Sequence, residues 1–310
     1  MQVGKQTTIL QLQASFRQYG RQPLPAVPRY KPSMAEPSLT IASLIRDPSI
    51  GQVCSRWLKG GRCHMVWVDP SSNPVAELER RREEFDALLL EQGAVGPSVY
   101  QSLSDLGLVL PAVVIGAGTG EVEFHDAEVH LPTNQLEQLS YSLDAAVSRF
   151  LRRGGVGAGD VSADQLAPGG ETPDRWKLAN RLQGRLGLLG VFYKRDSSRF
   201  LRNLSAADRD ALLQSLERTY RDLLLSYFRD PSAANQALES FVNTAFFSDL
   251  PITKAVEIHM NLIDGFAKQL KLEGNQNDFL QDYRLALLDV MAHLCEMYRR
   301  SVPPDGSAAS

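Results

Sequence analysis

Between residues 39 and 151, short apolar runs alternate with helical stretches, and no other feature constrains the fold as strongly. The runs are LTIASLI (39–45), CHMVWV (63–68), ALLL (87–90), PAVVIGAG (111–118) and AEVHL (127–131). Among them lie a helical stretch ending near Lys59-Gly60-Gly61, the charged PVAELERRREEF (74–85) and VYQSLSDLG (99–107). After them comes NQLEQLSYSLDAAVSRFLRRG (134–154), where Leu136, Leu139, Leu143, Ala146 and Phe150 recur at helical spacing and Gly154 is the stop. Strand-length apolar runs joined through helices predict a parallel sheet covered on both faces. A segment of this length built from βα units predicts the flavodoxin-like strand order of response-regulator receivers.

The remainder divides on composition. Residues 1–38 are polar and dotted with Pro23, Pro25, Pro28, Pro32 and Pro37, which predicts disorder. Met34 stands just before the first strand-like run, so it rivals Met1 as the native start; N-terminal sequencing of native protein distinguishes the two. Residues 152–173 form a Gly-rich linker carrying a short VSADQL patch, and 304–310 a disordered tail. Residues 174–303 are helical throughout by pattern. The expected helices are DRWKLANRLQGRLGLLGVFYKRD, with Leu178, Leu182, Leu186 and Leu189 on one face, then one capped by Ser205 with Asp208, striped by Leu213, Leu216, Tyr220, Leu223 and Tyr227. A third runs from Ser232 to Phe247, a fourth from Pro251 to a Gly274 cap, and a fifth from Gln276 to Arg300. Short connections between long helices predict antiparallel neighbours in a bundle.

Net charge is −3, which argues against a general nucleic-acid binder. Cys54, Cys63 and Cys295 have no metal-type spacing and read as reduced cytoplasmic thiols. No apolar run reaches the ~20 residues that span a bilayer, and no signal peptide is recognised at the start.

A phosphoryl-accepting receiver needs an acidic pair after its first strand, an Asp after the third, a Thr or Ser after the fourth and a Lys after the fifth. Here the first strand is followed by Arg46-Asp47, the third ends on Glu91, the fourth carries Gly116 in the hydroxyl slot, and the fifth carries Leu131 in the Lys slot. Most of the set is lost, which argues against phosphoryl transfer. Glu91 reads as a solvated loop carboxylate, or alternatively as a phosphate mimic. Gly116, Gly118 and Gly120 are misplaced for a dinucleotide loop, and His125 and His130 lack a third ligand. There is no phosphate loop, no HExxH and no GxSxG, so neither a catalytic set nor a metal site is expected.

The segments GLLGVFYKRD (187–196), RFLRNLS (199–205), LLLSYF (223–228), FVNTAFFSDLPITKAVEIHM (241–260), FAKQLKLEG (266–274), DYRLALLDV (282–290) and AHLCEMYRRSVP (292–303) closely resemble the C-terminal domain of the KaiA family of cyanobacterial circadian clock proteins. AEVHLPTNQLEQLSYSLDAA (127–146) resembles the end of the family's pseudo-receiver domain. The resemblance implies an α/β plus all-α fold: a flavodoxin-like pseudo-receiver over 39–151, then a dimeric four-helix bundle over 174–303. It implies a non-enzymatic homodimer that binds the C-terminal tail of KaiC, stimulates KaiC autophosphorylation, and is sequestered by KaiB in the KaiB–KaiC complex. No cofactor is required, though an oxidised quinone is an expected regulatory ligand. Carried over by position, the tail and dimer groove should include Phe246, Phe247, Asp264, Lys271 and His293. Spacing along the last helix adds Met297 and Arg300 to the face of His293, and Arg299 or Arg300 could pair with acids or carbonyls of the tail. Ile263 and Gly265 depart from the family pattern at the turn that carries Asp264. By residue type alone Phe246, Phe247 and Met260 are core, Lys271 and Arg299 solvated charges, and His259 and His293 helix histidines. Two other readings stand beside this one: a response-regulator-like signalling protein with a helical output for another partner, and an enzyme with an unrecognised site in the bundle.

Overall fold

The computed structural model describes residues 39–59, 62–116, 122–153, 173–189, 192–272 and 282–302. The expectations for 1–38 with Met34, the VSADQL linker, Gly118 and Gly120, the Gly274 cap, the Gln276 helix start and the 304–310 tail lie outside these residues.

The strands are β1 (Leu39–Leu44), β2 (Cys63–Trp67), β3 (Ala87–Glu91), β4 (Ala112–Gly116) and β5 (Val129–Pro132). They pair in parallel in the order β2-β1-β3-β4-β5, the doubly wound arrangement the alternation predicts. β3 and β4 are buried along nearly their whole length, whereas the edge strand β5 is buried only at alternate residues. The helices among them are α1 (Pro48–Leu58), α2 (Pro74–Arg80), α3 (Pro97–Asp105) and α4 (Leu139–Arg153). α1, α2 and α3 each begin on a proline, where a missing N–H costs nothing, and Asp47 and Asn73 cap the first two with side-chain oxygens.

Three helix expectations need correction. α2 stops at Arg80 instead of reaching Phe85, because Phe85 is fully buried under the Arg81 guanidinium and Asp86 already donates its N–H to Thr40 O. The stretch from residue 134 starts as a 3₁₀ turn (Thr133–Gln138) with Gln135 off helical geometry, and becomes α-helical only at Leu139. The helix starting at Pro173, α5 (Pro173–Leu186), ends well before Asp196. Gly187 turns left-handed (φ 67°) and a two-residue hairpin follows, β6 (Leu188–Leu189) with β7 (Phe192–Tyr193). α5 docks on the receiver: Arg181 donates to Phe85 O (2.6 Å) and to Asp86, and Arg185 joins it on the fully buried Asp86 carboxylate, which also accepts the Thr40 N–H.

The bundle proper is α6 (Ala206–Ser226), α7 (Pro231–Phe247), α8 (Ile252–Leu272) and α9 (Arg284–Ser301). Ser205 caps α6 as expected, its Oγ accepting from Asp208 N. α7 is the central helix, packed against α6, α9 and, on the receiver side, α4. Between α7 and α8, Asp249 takes a left-handed conformation (φ 55°) that its short polar side chain tolerates. Its carboxylate is held there by Arg195 (3.3 Å) and Arg202 (2.9 Å). No helix among the described residues is long and apolar enough to cross a membrane.

Candidate functional site

At the carboxyl end of the sheet the receiver's reaction centre is closed by its own side chains. Glu91, at the end of β3, points its carboxylate at the β1–α1 turn, where Oε2 accepts the N–H groups of Arg46 (2.6 Å) and Asp47 (2.9 Å). Arg46 in turn donates to Ala94 O (2.6 Å). The expectation of a solvated carboxylate is therefore corrected: Glu91 is half-buried and cross-links two loops. Asp47 is committed to the cap of α1. A Cβ at Gly116 would sit 2.5 Å from Gln92 Cβ, so a side chain there requires Gln92 to move, and Leu131 is fully buried in the core. Among the described residues, the positions that accept, coordinate and read a phosphate in a receiver hold no such set. Among the described residues no cluster of His, Cys, Asp and Glu could hold a metal ion. His125 is a loop brace, its Nδ1 accepting from Ala127 N (3.1 Å) and its Nε2 bonded to Leu110 O (2.8 Å). Glu128, almost fully buried, accepts from the backbone of Glu123, Phe124 and His125 and from His130. Burial is the largest single effect and pushes its pKa up, but the four bonds together outweigh it and hold the carboxyl below the usual carboxylate range.

The receiver is joined to the bundle through a buried polar seam. Gln138 Nε2 donates to Ser215 Oγ (2.9 Å) and Thr219 Oγ1 (2.7 Å), and its Oε1 accepts from Thr244 Oγ1 (2.8 Å). Thr219 also donates to Gln135 Oε1 (2.9 Å), and Gln135 donates to Asp222 (3.1 Å). Gln135, Gln138, Ser215, Thr219 and Thr244 are all buried. None of them figures among the expected site residues. The available signal was a set of polar residues at core spacing, with Ser215 and Thr219 interleaved among Leu212, Leu216 and Leu223.

In the bundle the expected groove residues separate. Phe246 and Phe247 are interior, 0% and 1% exposed, and do not line a surface groove of this chain. Their rings pack on Phe192 at 4.9 and 6.1 Å, Phe246 also meets Tyr298 at 5.1 Å, and Arg195 lies over the Phe246 ring at 4.8 Å. Hairpin β6–β7 covers them, and sequence alone could not supply that cover. The other groove residues lie on α8 and α9. Asp264 is exposed and paired with Lys268 (2.6 Å), and Lys271 is exposed one turn later. His293 is exposed, its Nδ1 bonded to Asp289 O (2.8 Å). Met297 packs on the core. Arg299 and Arg300 both bind Glu296, whose carboxyl they hold down to about 2. His259 is buried, with the Tyr220 hydroxyl 3.1 Å from Nδ1, and burial lowers its pKa.

On the same helices and at the end of α6, apolar side chains stand exposed among the described residues. At the end of α6 Phe228 is 55% exposed, edge-on to Tyr227 and Tyr283. Leu225 beside it, and Leu285 and Leu288 on α9, are also about half exposed or more. Met260 and Leu272 add exposed apolar surface along α8. Exposed apolar patches on this scale mark interaction surfaces.

Comparison with known proteins covers nearly the whole described chain. The family described as circadian clock protein KaiA, N-terminal domain, matches residues 39–154, and that of the KaiA C-terminal domain matches 184–305. The circadian clock oscillator protein KaiA of Parasynechococcus marenigrum (strain WH8102) is 55% identical over 278 residues, 88% of this chain and 92% of its own length. That of Synechococcus elongatus is 43% identical over 282 residues, 86% of this chain and 98% of its own. The crystal structure of the C-terminal domain of KaiA from Thermosynechococcus elongatus BP-1 is 48% identical, covering 34% of this chain and 99% of that one with a TM-score of 0.30.

Proposed function

The chain belongs to the KaiA family of circadian clock proteins, and on that footing we propose that it is a homodimeric, non-enzymatic activator of KaiC. It binds the C-terminal tail of KaiC, holds it extended away from its inhibitory position, and so stimulates KaiC autophosphorylation in the cytoplasm. In the opposite phase it is sequestered by KaiB bound to KaiC. The observation that carries this reading is the exposed apolar surface of Leu225, Phe228, Leu285 and Leu288, bordered on α9 by exposed His293. Joining two copies through such a surface buries apolar area and leaves a groove at the join, the geometry in which helical proteins hold peptides. Asp264 and Lys271 on α8, and His293, Arg299 and Arg300 on α9, supply its polar margin, with Met297 packed beneath on the core. The receiver, whose phosphoryl centre is closed by Glu91, serves as a docking or sensing domain, with an oxidised quinone as its regulatory ligand.

The test is phosphorylation of KaiC with ATP, with and without this protein, beside KaiC lacking its tail. Acceleration of the intact kinase, weaker with His293→Ala, is expected. Equal binding to tailless and intact KaiC would remove the tail-capture mechanism, and full activity of His293→Ala would remove that residue from the groove.

A further inference from the structure

A trough runs between the open edge of the sheet and the bundle, away from the α8–α9 surface. One wall is β5, the other is α7, and α4, which packs on both, contributes Arg149. It consists of two adjoining hollows of about 230 and 210 Å³ that share His130, Gln236 and Ser240, together within the size range of ligand sites.

The two walls are complementary in kind. β5 is the terminal strand of the sheet, so one side of its backbone has no neighbouring strand. Facing it, α7 presents Gln236, Ser240 and Asn243, spaced one turn apart along a single face. All three are half-buried, and none has a hydrogen-bond partner among the described residues. Most charged groups around them are by contrast already engaged. Arg149 pairs with Glu239 and donates to Glu128 O, His130 is bonded to Glu128, and Asp222 accepts from the neutral Gln135 amide. What is left open is a neutral row of donors and acceptors opposite an unpaired strand edge.

We propose that this trough binds an extended, uncharged peptide segment of a partner protein as an added strand on β5. One edge of such a segment pairs with β5, and its other edge, whose N–H and C=O groups would otherwise be bare, meets the amides of Gln236 and Asn243 and the hydroxyl of Ser240. Those α7 residues span roughly 10 Å, which accommodates about three residues of extended chain. Beside Arg149, charge matching favours a neutral segment, because a charged side chain there would have to break the Arg149–Glu239 or Glu128–His130 pair to be satisfied.

The probe is the capped peptide Ac-Ala-Val-Ser-Val-Ala-NH₂, added to the isotope-labelled full-length protein and followed by amide chemical shifts and hydrogen exchange. Shifts and slowed exchange on β5, with shifts of the Gln236 and Asn243 side-chain amides, are expected. The fully N-methylated peptide should bind at least tenfold more weakly. The double variant Gln236→Ala/Asn243→Ala should lose affinity severalfold without a change in thermal midpoint. The proposal is overturned if the N-methylated peptide binds equally, if the shifts fall on α8 and α9, or if nothing binds at millimolar peptide. It is also overturned if β5 becomes protected with rising protein concentration and no peptide, which would give the trough to a second copy. None of these outcomes depends on KaiC, so this test stands or fails apart from tail capture.

Discussion

Replacing Gln138 with Met tests whether the seam holds the receiver to the bundle. Methionine keeps the length and nearly the volume of glutamine, so the change removes hydrogen bonds without opening a cavity. Three bonds are lost, to Ser215, Thr219 and Thr244. Thr219 retains Gln135 as an acceptor, but the Thr244 hydroxyl loses the acceptor it uses, and both Ser215 and Thr244 are buried. At about 1 kcal/mol per net bond, with an added penalty for the stranded hydroxyls, the cost comes to about 3 kcal/mol. For a unit of this size that lowers the thermal midpoint by roughly 6–12 °C. Calorimetry reads the shift, and a double-mutant cycle identifies its cause. Thr244→Val should be costly in the wild type and much cheaper beside Gln138→Met, because the hydroxyl it deletes is then already orphaned. An unchanged midpoint in Gln138→Met, or strict additivity in the cycle, would refute the reasoning.

Further consequences concern the closed phosphoryl centre, the core and pH. Glu91→Ala strands the N–H groups of Arg46 and Asp47 and should cost about 2 kcal/mol in chemical denaturation. Glu91→Asp restores a phosphorylatable residue type but not the hydroxyl and Lys positions held by Gly116 and Leu131, so incubation with acetyl phosphate and Mg²⁺ should leave no phosphoryl group on the protein. Formation of an aspartyl phosphate would show the centre to be repairable. Phe246→Ala should destabilise by about 3–5 kcal/mol as a core truncation; a loss of KaiC stimulation with stability intact would instead return Phe246 to the groove. Burial lowers the folded-state pKa of His259 below 6.5, so the unfolded chain takes up a proton first as pH falls. Its contribution is present above that pH and is lost on acidification towards the folded pKa. His259→Gln should therefore show a shallower fall in stability between about pH 7 and 5 than the wild type, and identical slopes would contradict this.

What could be read from sequence, and what could not, divides according to the range over which each cause acts. The sheet was legible because strand alternation is local: PAVVIGAG declares itself within a few residues. Phe246 and Phe247 were ambiguous because an aromatic pair late in a helix looks the same whether it faces a groove or a core. Only the distant hairpin carrying Phe192 decides for the core, and that hairpin was itself read as helix. Glu91 was misread for a related reason. Its partners are backbone amides of a loop some forty-five residues earlier, and backbone amides have no sequence signature. A phosphorylatable aspartate must be free to change partners when modified, whereas the Glu91 carboxylate is engaged by the backbone of the β1–α1 turn. The buried Gln138 network in turn ties the 3₁₀ turn before α4 to α6 and α7, so the sheet and the bundle share side-chain bonds. Under the proposed sensing role, a signal entering through this domain would act on that seam or on the open edge of β5 more readily than on strand ends already cross-linked by Glu91.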